Sequence, residues 1–299
     1  MAGSAVRPGK IRPMLLGSHL SIAGGLHHAL LAAGRYGFGT VAVFVRNQRQ
    51  WHVPPLPASA VAEFRRVRRR LGIGPVVAHG SYLVNLAGDD EVRGKSVAAT
   101  LADLERCGLL GIEYLVLHPG SRADADEGVR RIADALNEVL AACRFRRPRL
   151  LLETTAGAGH SIGGSFEQLA AILARLRRPR RVGVCLDTCH VFAAGYDLRT
   201  PRAYRRTLAR FDRLIGLDRL GAIHLNDSLR GLGSRLDRHE HIGRGRIGRA
   251  GFAQFVRDRR LADVPMILET PKGLDDRGRD WDAVNAAVLR RLAGQMARG

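Results

Sequence analysis

Residues 181–195 read RVGVCLDTCHVFAAG. Val182, Val184 and Leu186 alternate with Gly183, Cys185 and Asp187. A basic residue precedes the run, and an aspartate ends it. A short apolar run of this kind, with no polar face, suits a strand of a parallel sheet covered on both sides. Two cysteines, an aspartate and a histidine within six positions admit three readings. They form a thiolate zinc site, an oxygen–nitrogen metal site, or a core strand with incidental polar residues.

The same form recurs seven times. The other candidate strands are 14–18, 40–45, 75–79, 114–118, 149–153, 220–225 and 265–269, with this one at 182–187. Helix-like segments lie at 24–35, 57–71, 89–107, 124–143, 165–177, 200–215, 250–260 and 281–296. Strict alternation of strand and helix argues for parallel strands with crossover helices. Eight such units predict a single α/β domain, a (β/α)8 TIM barrel with its site at the C-terminal face of the strands. Residues 1–13 are expected to be a basic mobile tail, and 14–299 the barrel.

The bulk numbers agree with a globular enzyme. The chain has 299 residues, 45% of them hydrophobic and 25% charged. Its formal net charge is +20, which favours a polyanionic partner. Three basic runs stand out: RRVRRR (65–70), RFRRPR (144–149) and RRPRR (177–181). The latter two precede strands, so they belong to the N-terminal end of the barrel, and the default reading is a solvated face. The 4 cysteines form no Cys-x-x-Cys pair. With no leader-like or membrane-spanning run, the sequence reads as a reduced, cytoplasmic, nucleoid-associated protein that does not engage membranes.

Barrel chemistry sits at the C-terminal strand ends. Those ends carry His79, His118, Glu153, Asp187 and Glu269, with His224 one residue before its strand's end. Such a set is costly to bury without compensating charge. Divalent cations supply that charge, and mixed His/Asp/Glu suits Zn2+ or Mn2+. His190 lies three residues beyond Asp187. Asp237 and His239 are two apart, so an extended loop points both to one side. Nine ligands are too many for one tetrahedral ion and suit about three. Four carboxylates against three divalent ions leave a positive centre, which suits a phosphoryl substrate.

His19 ends the first strand and is expected to support the ligands from behind. His27, His28, His52, His160 and His241 read as surface or loop residues. GRGRIG (243–248) matches the letters of the dinucleotide fingerprint. It lacks the preceding strand that motif requires, so no nucleotide cofactor is expected. Its glycines shape the loop 226–249, whose length marks it as functional.

These residues resemble the endonuclease IV family of apurinic/apyrimidinic endonucleases. The resemblance runs from about Leu16 to Pro271. It is carried by NQRQW (47–51), HGSYLVNLA (79–87), HPGS (118–121), DTCHVFAAGYD (187–197), HLNDS (224–228), SRLDRHEHIG (234–243) and ILETP (267–271). It implies a trinuclear zinc site, with Mn2+ an alternative at one position. One ion takes His79, His118 and Glu153. A second shares Glu153 and adds Asp187, His224 and Glu269. The third takes His190, Asp237 and His239. Glu153, Asp187 and Glu269 are then the catalytic carboxylates.

The implied reaction is hydrolysis of the phosphodiester 5′ to an abasic site in duplex DNA, leaving a 3′-hydroxyl, with removal of 3′-blocking groups besides. Metal binding brings the pKa of water to about 7, so no Ser or Cys nucleophile is required. By the same resemblance Arg49, Gln50, Tyr82 and Leu83 enter the duplex at the damage, where a missing base lowers the unstacking cost. Arg46, Arg235, Arg238, Arg244 and Arg246 are candidates for phosphate contacts. A monomer is expected. Thr154, Ala158 and Gly80 depart from the family's usual residues, which bears on the hydrogen bonds behind the ligands. Two other readings remain: a divalent-metal sugar isomerase or epimerase of the xylose-isomerase-like barrels, and a DNA-binding barrel without catalysis. In the metal-site readings Cys185 is a small apolar filler inside the barrel, and Cys189 is packed.

Overall fold

The computed structural model describes residues 14–52 and 54–294, so the expected tail 1–13 lies outside the described residues. Eight parallel strands form one sheet: β1 (Leu16–Ser18), β2 (Val41–Phe44), β3 (Val76–His79), β4 (Tyr114–Leu117), β5 (Arg149–Glu153), β6 (Val182–Asp187), β7 (Leu220–His224) and β8 (Met266–Leu268). Each strand pairs with its chain neighbour, and β8 pairs with β1. The ring closes between β1 and β2 through a single bridge, His19 to Ala42. Gly17 permits that seam, because a Cβ there would run into the Thr40 carbonyl.

Helices α1 (Leu26–Arg35), α2 (Ala58–Leu71), α3 (Asp90–Leu110), α4 (Ala125–Ala142), α5 (Phe166–Ala174), α7 (Pro201–Leu214), α8 (Gly248–Arg257) and α9 (Trp281–Leu292) cover the outside, while α6 (Thr188–Ala193) is buried at the end of β6. Their starts are fixed by short polar side chains. Asp89, Asp124, Ser165, Thr200 and Asp280 each accept an N–H of the first turn. Each cap contributes about 1 kcal/mol.

The strands are apolar throughout because both faces are buried. One face packs on the helices and forms the main core. The other fills the barrel with Ala42, Val77, Val116, Leu151, Cys185, Ala222 and Ile267. Cys185 therefore sits one step below Asp187, inside the barrel, as the alternation of β6 predicts.

Helix α6 lies outside the helix-like segments of the sequence, the nearest of which begins at residue 200. The Asp187 carboxylate accepts the His190 N–H at 2.8 Å, and this cap starts a helix of 6 residues at the end of β6. Asp187 and His190 are thus held in register by a helix start.

Candidate metal centre

The strand ends converge. Glu153 Oε2 lies 3.0 Å from both His79 Nε2 and His118 Nε2. Its other oxygen, Oε1, lies 2.7 Å from His224 Nδ1. His224 Nδ1 is also 3.0 Å from Glu269 Oε2 and 4.0 Å from Asp187 Oδ2. Glu153 thus faces two ligand sets with its two oxygens: His79, His118 and Glu153 on one side, and Glu153, Asp187, His224 and Glu269 on the other.

A third group forms where the loop after β7 folds back. The loop is anchored by Gly233 N on Phe192 O (3.1 Å), Arg235 N on Ala193 O (2.9 Å) and Leu229 N on Arg238 O (2.9 Å). This fold places Asp237 Oδ2 3.0 Å from His190 Nε2, and Asp237 Oδ1 3.2 Å from His239 Nε2. His239 Nε2 is also 3.7 Å from Asp187 Oδ2, so the third group adjoins the second.

The donor set fits divalent cations in two respects. First, three imidazoles are pinned from behind by backbone carbonyls. His79 Nδ1 meets Gly80 O at 2.8 Å, His190 Nδ1 meets Thr154 O at 2.7 Å, and His239 Nδ1 meets Glu269 O at 3.1 Å. Each leaves Nε2 for the cluster, which is the tautomer and orientation that metal-bound histidines require. Second, the spacing is right. Two ligands at about 2.0–2.1 Å from one tetrahedral ion stand about 3.3 Å apart. His239 Nε2 is buried and has no hydrogen-bond partner among the described residues, although two carboxylates stand nearby. A cation would satisfy it.

The electrostatics point the same way. Burial pulls the His190 imidazole down, but Asp187, Asp237 and Glu153 carry it up to about 10. Burial likewise opposes His239, and Asp187 and Asp237 carry it up to about 9. Burial pushes Glu153 up, yet His224 and His118 hold it well below the usual carboxylate range. The site is built for positive charge among carboxylates.

Cys185 and Cys189 are both buried beside the cluster. Sγ of Cys185 lies within reach of Glu153 and His224, and that of Cys189 within reach of Asp237 and His239. Burial pushes both thiols up to about 12.

Residues behind the candidate ligands hold them in place. Asn226 is fully buried; its Nδ2 donates to Asp187 Oδ2 at 2.6 Å and its Oδ1 accepts the Glu269 N–H at 2.9 Å. Thr154 Oγ1 accepts the Asp187 N–H at 2.9 Å. His19 Nδ1 lies 3.0 Å from Glu269 Oε1, as its place at the end of β1 suggests. The GRGRIG loop wraps the protein's own carboxylate. Asp227 accepts N–H groups from Gly243 (2.9 Å), Gly245 (3.1 Å) and Ile247 (2.9 Å), with Gly248 alongside. A Cβ at Gly245 would come within 2.6 Å of Asp227 Oδ1.

On the rim, Tyr82 is 66% exposed and Leu83 37%, and the Tyr82 ring lies 5.6 Å from that of His79. Arg49 and Gln50 are exposed on the loop after β2. A groove of about 700 Å³ runs past His19, Phe44, Gln48, Tyr82, His239 and Glu269.

One expectation is corrected. Arg46 is no phosphate contact: it is buried, its Nε donates to Asp103 at 2.6 Å, and its Nη1 holds the backbone carbonyl of Gln50. It anchors the loop that carries Arg49 and Gln50. His241 lies in a loop, as expected, and is buried there with its ring stacked on Trp281 at 3.6 Å. Arg235, Arg238, Arg244 and Arg246 are exposed on the loop after β7.

A family model described as xylose isomerase-like TIM barrel matches residues 30–292. A probable endonuclease 4 of Geobacter sulfurreducens is 50% identical over 93% of this chain and 94% of its own length. The chain belongs to the endonuclease IV family. A probable endonuclease 4 of Chloroflexus aurantiacus is 47% identical over 92% of this chain and 97% of its own. The crystal structure of endonuclease IV from Thermus thermophilus superposes with a TM-score of 0.84 at 41% identity, covering 94% of this chain and 99% of that one. A D-tagatose 3-epimerase-like protein has a TM-score of 0.72 at 18% identity, over 94% of this chain and 97% of that one, which is a likeness of fold alone.

Proposed function

We propose that this endonuclease IV family member hydrolyses the phosphodiester 5′ to abasic sites in duplex DNA, leaving a 3′-hydroxyl, and that it does so with about three zinc ions per chain. The chain is a DNA-cleaving hydrolase, as its family membership implies. The observation that carries the finer reading is Glu153, whose two oxygens face two separate histidine and carboxylate sets.

His79, His118 and Glu153 would hold one ion. Glu153, Asp187, His224 and Glu269 would hold the second, and His190, Asp237 and His239 the third. Bound there, divalent ions polarise a phosphoryl oxygen and lower the pKa of water to about 7. The protein's own part is orientation. Carbonyls of Gly80, Thr154 and Glu269 fix the imidazole planes. Asn226 holds Asp187 Oδ2 and the Glu269 backbone in one frame. Asp187, capping α6 while facing the second set, couples that set to the third through His190.

Damage recognition is assigned to the rim. Tyr82 and Leu83 offer planar and apolar surface beside the cluster, and Arg49 and Gln50 are exposed on the loop after β2. A nucleotide without a base costs less to extrude. The same site accommodates 3′-blocking groups, because those also present a phosphoester to the cluster.

Elemental analysis tests the metal assignment. About three zinc ions per chain are expected, with fewer in Glu153→Ala. A single ion per chain together with sugar-epimerising activity would support the isomerase reading instead.

A further inference from the structure

The three arginine runs do not enter the site at the rim. In the structure they meet at the opposite end of the barrel. Arg68, in the last turn of α2, donates Nη2 to Glu113 Oε1 at 2.6 Å, just before β4. The Arg149 N–H, at the start of β5, donates to Glu113 O at 2.9 Å. Arg181 Nη2 donates to Phe145 O at 3.0 Å and Pro148 O at 3.1 Å, and Arg178 Nη1 to Leu140 O at 2.8 Å. The loop before β5 and the loop before β6 are thereby stitched side by side. Between them lies a concavity of about 530 Å³ lined by Arg146, Arg178, Pro179, Arg180 and Arg181, with no carboxylate in its wall.

Helix dipoles explain part of this charge. Arg68, Arg69 and Arg70 sit in the last turn of α2, where cations stabilise a helix by about 0.3–1 kcal/mol. Arg146, Arg147, Arg177 and Arg180 lie beyond the ends of α4 and α5, where that effect has faded. All four are exposed, and among the described residues their side chains have no hydrogen bond or ion pair. On the loop before β5, Arg144 lies 3.6 Å from Glu105. Crowding unpaired guanidinium groups opposes folding by self-repulsion, and a polyanionic occupant relieves it.

We propose that this end of the barrel is a second nucleic-acid-binding face, which holds the phosphate backbone of a duplex segment other than the one at the rim. Duplex DNA suits it better than a small anion, because the free guanidinium groups extend along two loops beyond the concavity. Arginine forks match phosphate oxygens and carry no sequence information. The strands that end in the metal-ligand cluster begin at this face, so the two faces point in opposite directions. One molecule would then bridge two DNA segments.

The test is a bridging assay with undamaged duplexes, one tethered to beads and one labelled in solution, alongside incision of an abasic duplex. The full-length wild type should capture the labelled duplex. The variant Arg146→Gln/Arg147→Gln/Arg177→Gln/Arg180→Gln should capture at least about tenfold less, and its incision rate should be unchanged. Four lost phosphate contacts should also flatten the log–log salt dependence of capture by about 3.6. Arg180→Gln alone should show a smaller loss of the same sign, which decides the matter if the fourfold variant misfolds. Capture undiminished in both variants overturns the proposal, as does bridging by protein dimers, seen by sedimentation. Binding of inorganic polyphosphate without capture of duplex overturns it too, by assigning the face to a linear phosphate chain. Incision is read separately, so failure of bridging leaves the abasic-site reading standing.

Discussion

The Asn226 amide donates to Asp187 Oδ2 at 2.6 Å while the same side chain receives the Glu269 N–H at 2.9 Å. One buried amide therefore aligns two carboxylates from different strand ends. Asn226→Ala should lower incision by about 10–100-fold, the range typical of partners behind metal ligands, with the fold retained. Asn226→Asp should be at least as damaging, since it sets a second carboxylate against Asp187. Steady-state kinetics with metal content measured on the same samples would check this. Full activity in Asn226→Ala would remove the residue from the positioning role.

Asp227 gathers the glycine loop through N–H groups of Gly243, Gly245, Ile247 and Gly248. Each buried N–H left without a partner costs about 1–3 kcal/mol. Asp227→Ala should therefore lower unfolding free energy by several kcal/mol, read as a reduced denaturant midpoint. It should also slow incision, because the same loop carries Asp237 and His239. Stability within about 0.5 kcal/mol of wild type would contradict the cradle.

In the proposed reading, Tyr82 and Arg49 act at the damaged site and not on the general backbone. Tyr82→Ala and Arg49→Ala should weaken binding to abasic duplex more than to intact duplex. For Tyr82, loss of a stacking surface corresponds to about 1–3 kcal/mol. Fluorescence anisotropy on matched duplexes reads the ratio. Equal weakening on both would assign the two residues to phosphate contact.

Asp103 gives a pH prediction. Burial raises its carboxyl to about 6, with Arg46 opposing. A carboxyl raised in the folded state stabilises the fold below its unfolded pKa, and that contribution is lost as pH climbs through 6. The unfolding free energy of wild type minus that of Asp103→Asn should therefore fall by up to about 3 kcal/mol between about pH 4 and 6. Denaturant titrations across that window measure it, and a difference that grows with pH would contradict the sign. The variant also leaves Arg46 buried without its partner, so the loop carrying Gln50 should loosen at every pH.

The barrel and the convergence of the candidate ligands were legible because most strands announce their ends. From β3 to β8 an apolar run stops at or beside a His, Asp or Glu, and these stops in register define a rim. What escaped was contact between positions far apart in the chain. Arg46 reads as exposed because its partner lies 57 positions away on α3, on a helix face that looks solvated. His241 is a loop residue whose burial shows only once Trp281, from α9, stacks on it. Asn226 and Asp227 follow His224 in plain view, but polar residues in a loop have no periodicity to reveal which way they face. Helix α6 escaped because 6 residues are too few for a helical period to emerge.

The central claim is that a Glu153-centred metal cluster cuts the phosphodiester 5′ to an abasic site. The most direct measurement is incision of one defined abasic duplex by the zinc-loaded protein, with product ends mapped, before and after chelation and after zinc is returned. The expected result is a single 5′ cut leaving a 3′-hydroxyl, abolished by the chelator, restored by zinc, and lost in Glu153→Gln. Cutting that survives complete metal removal, or a product ending in a 3′ sugar remnant, would contradict it.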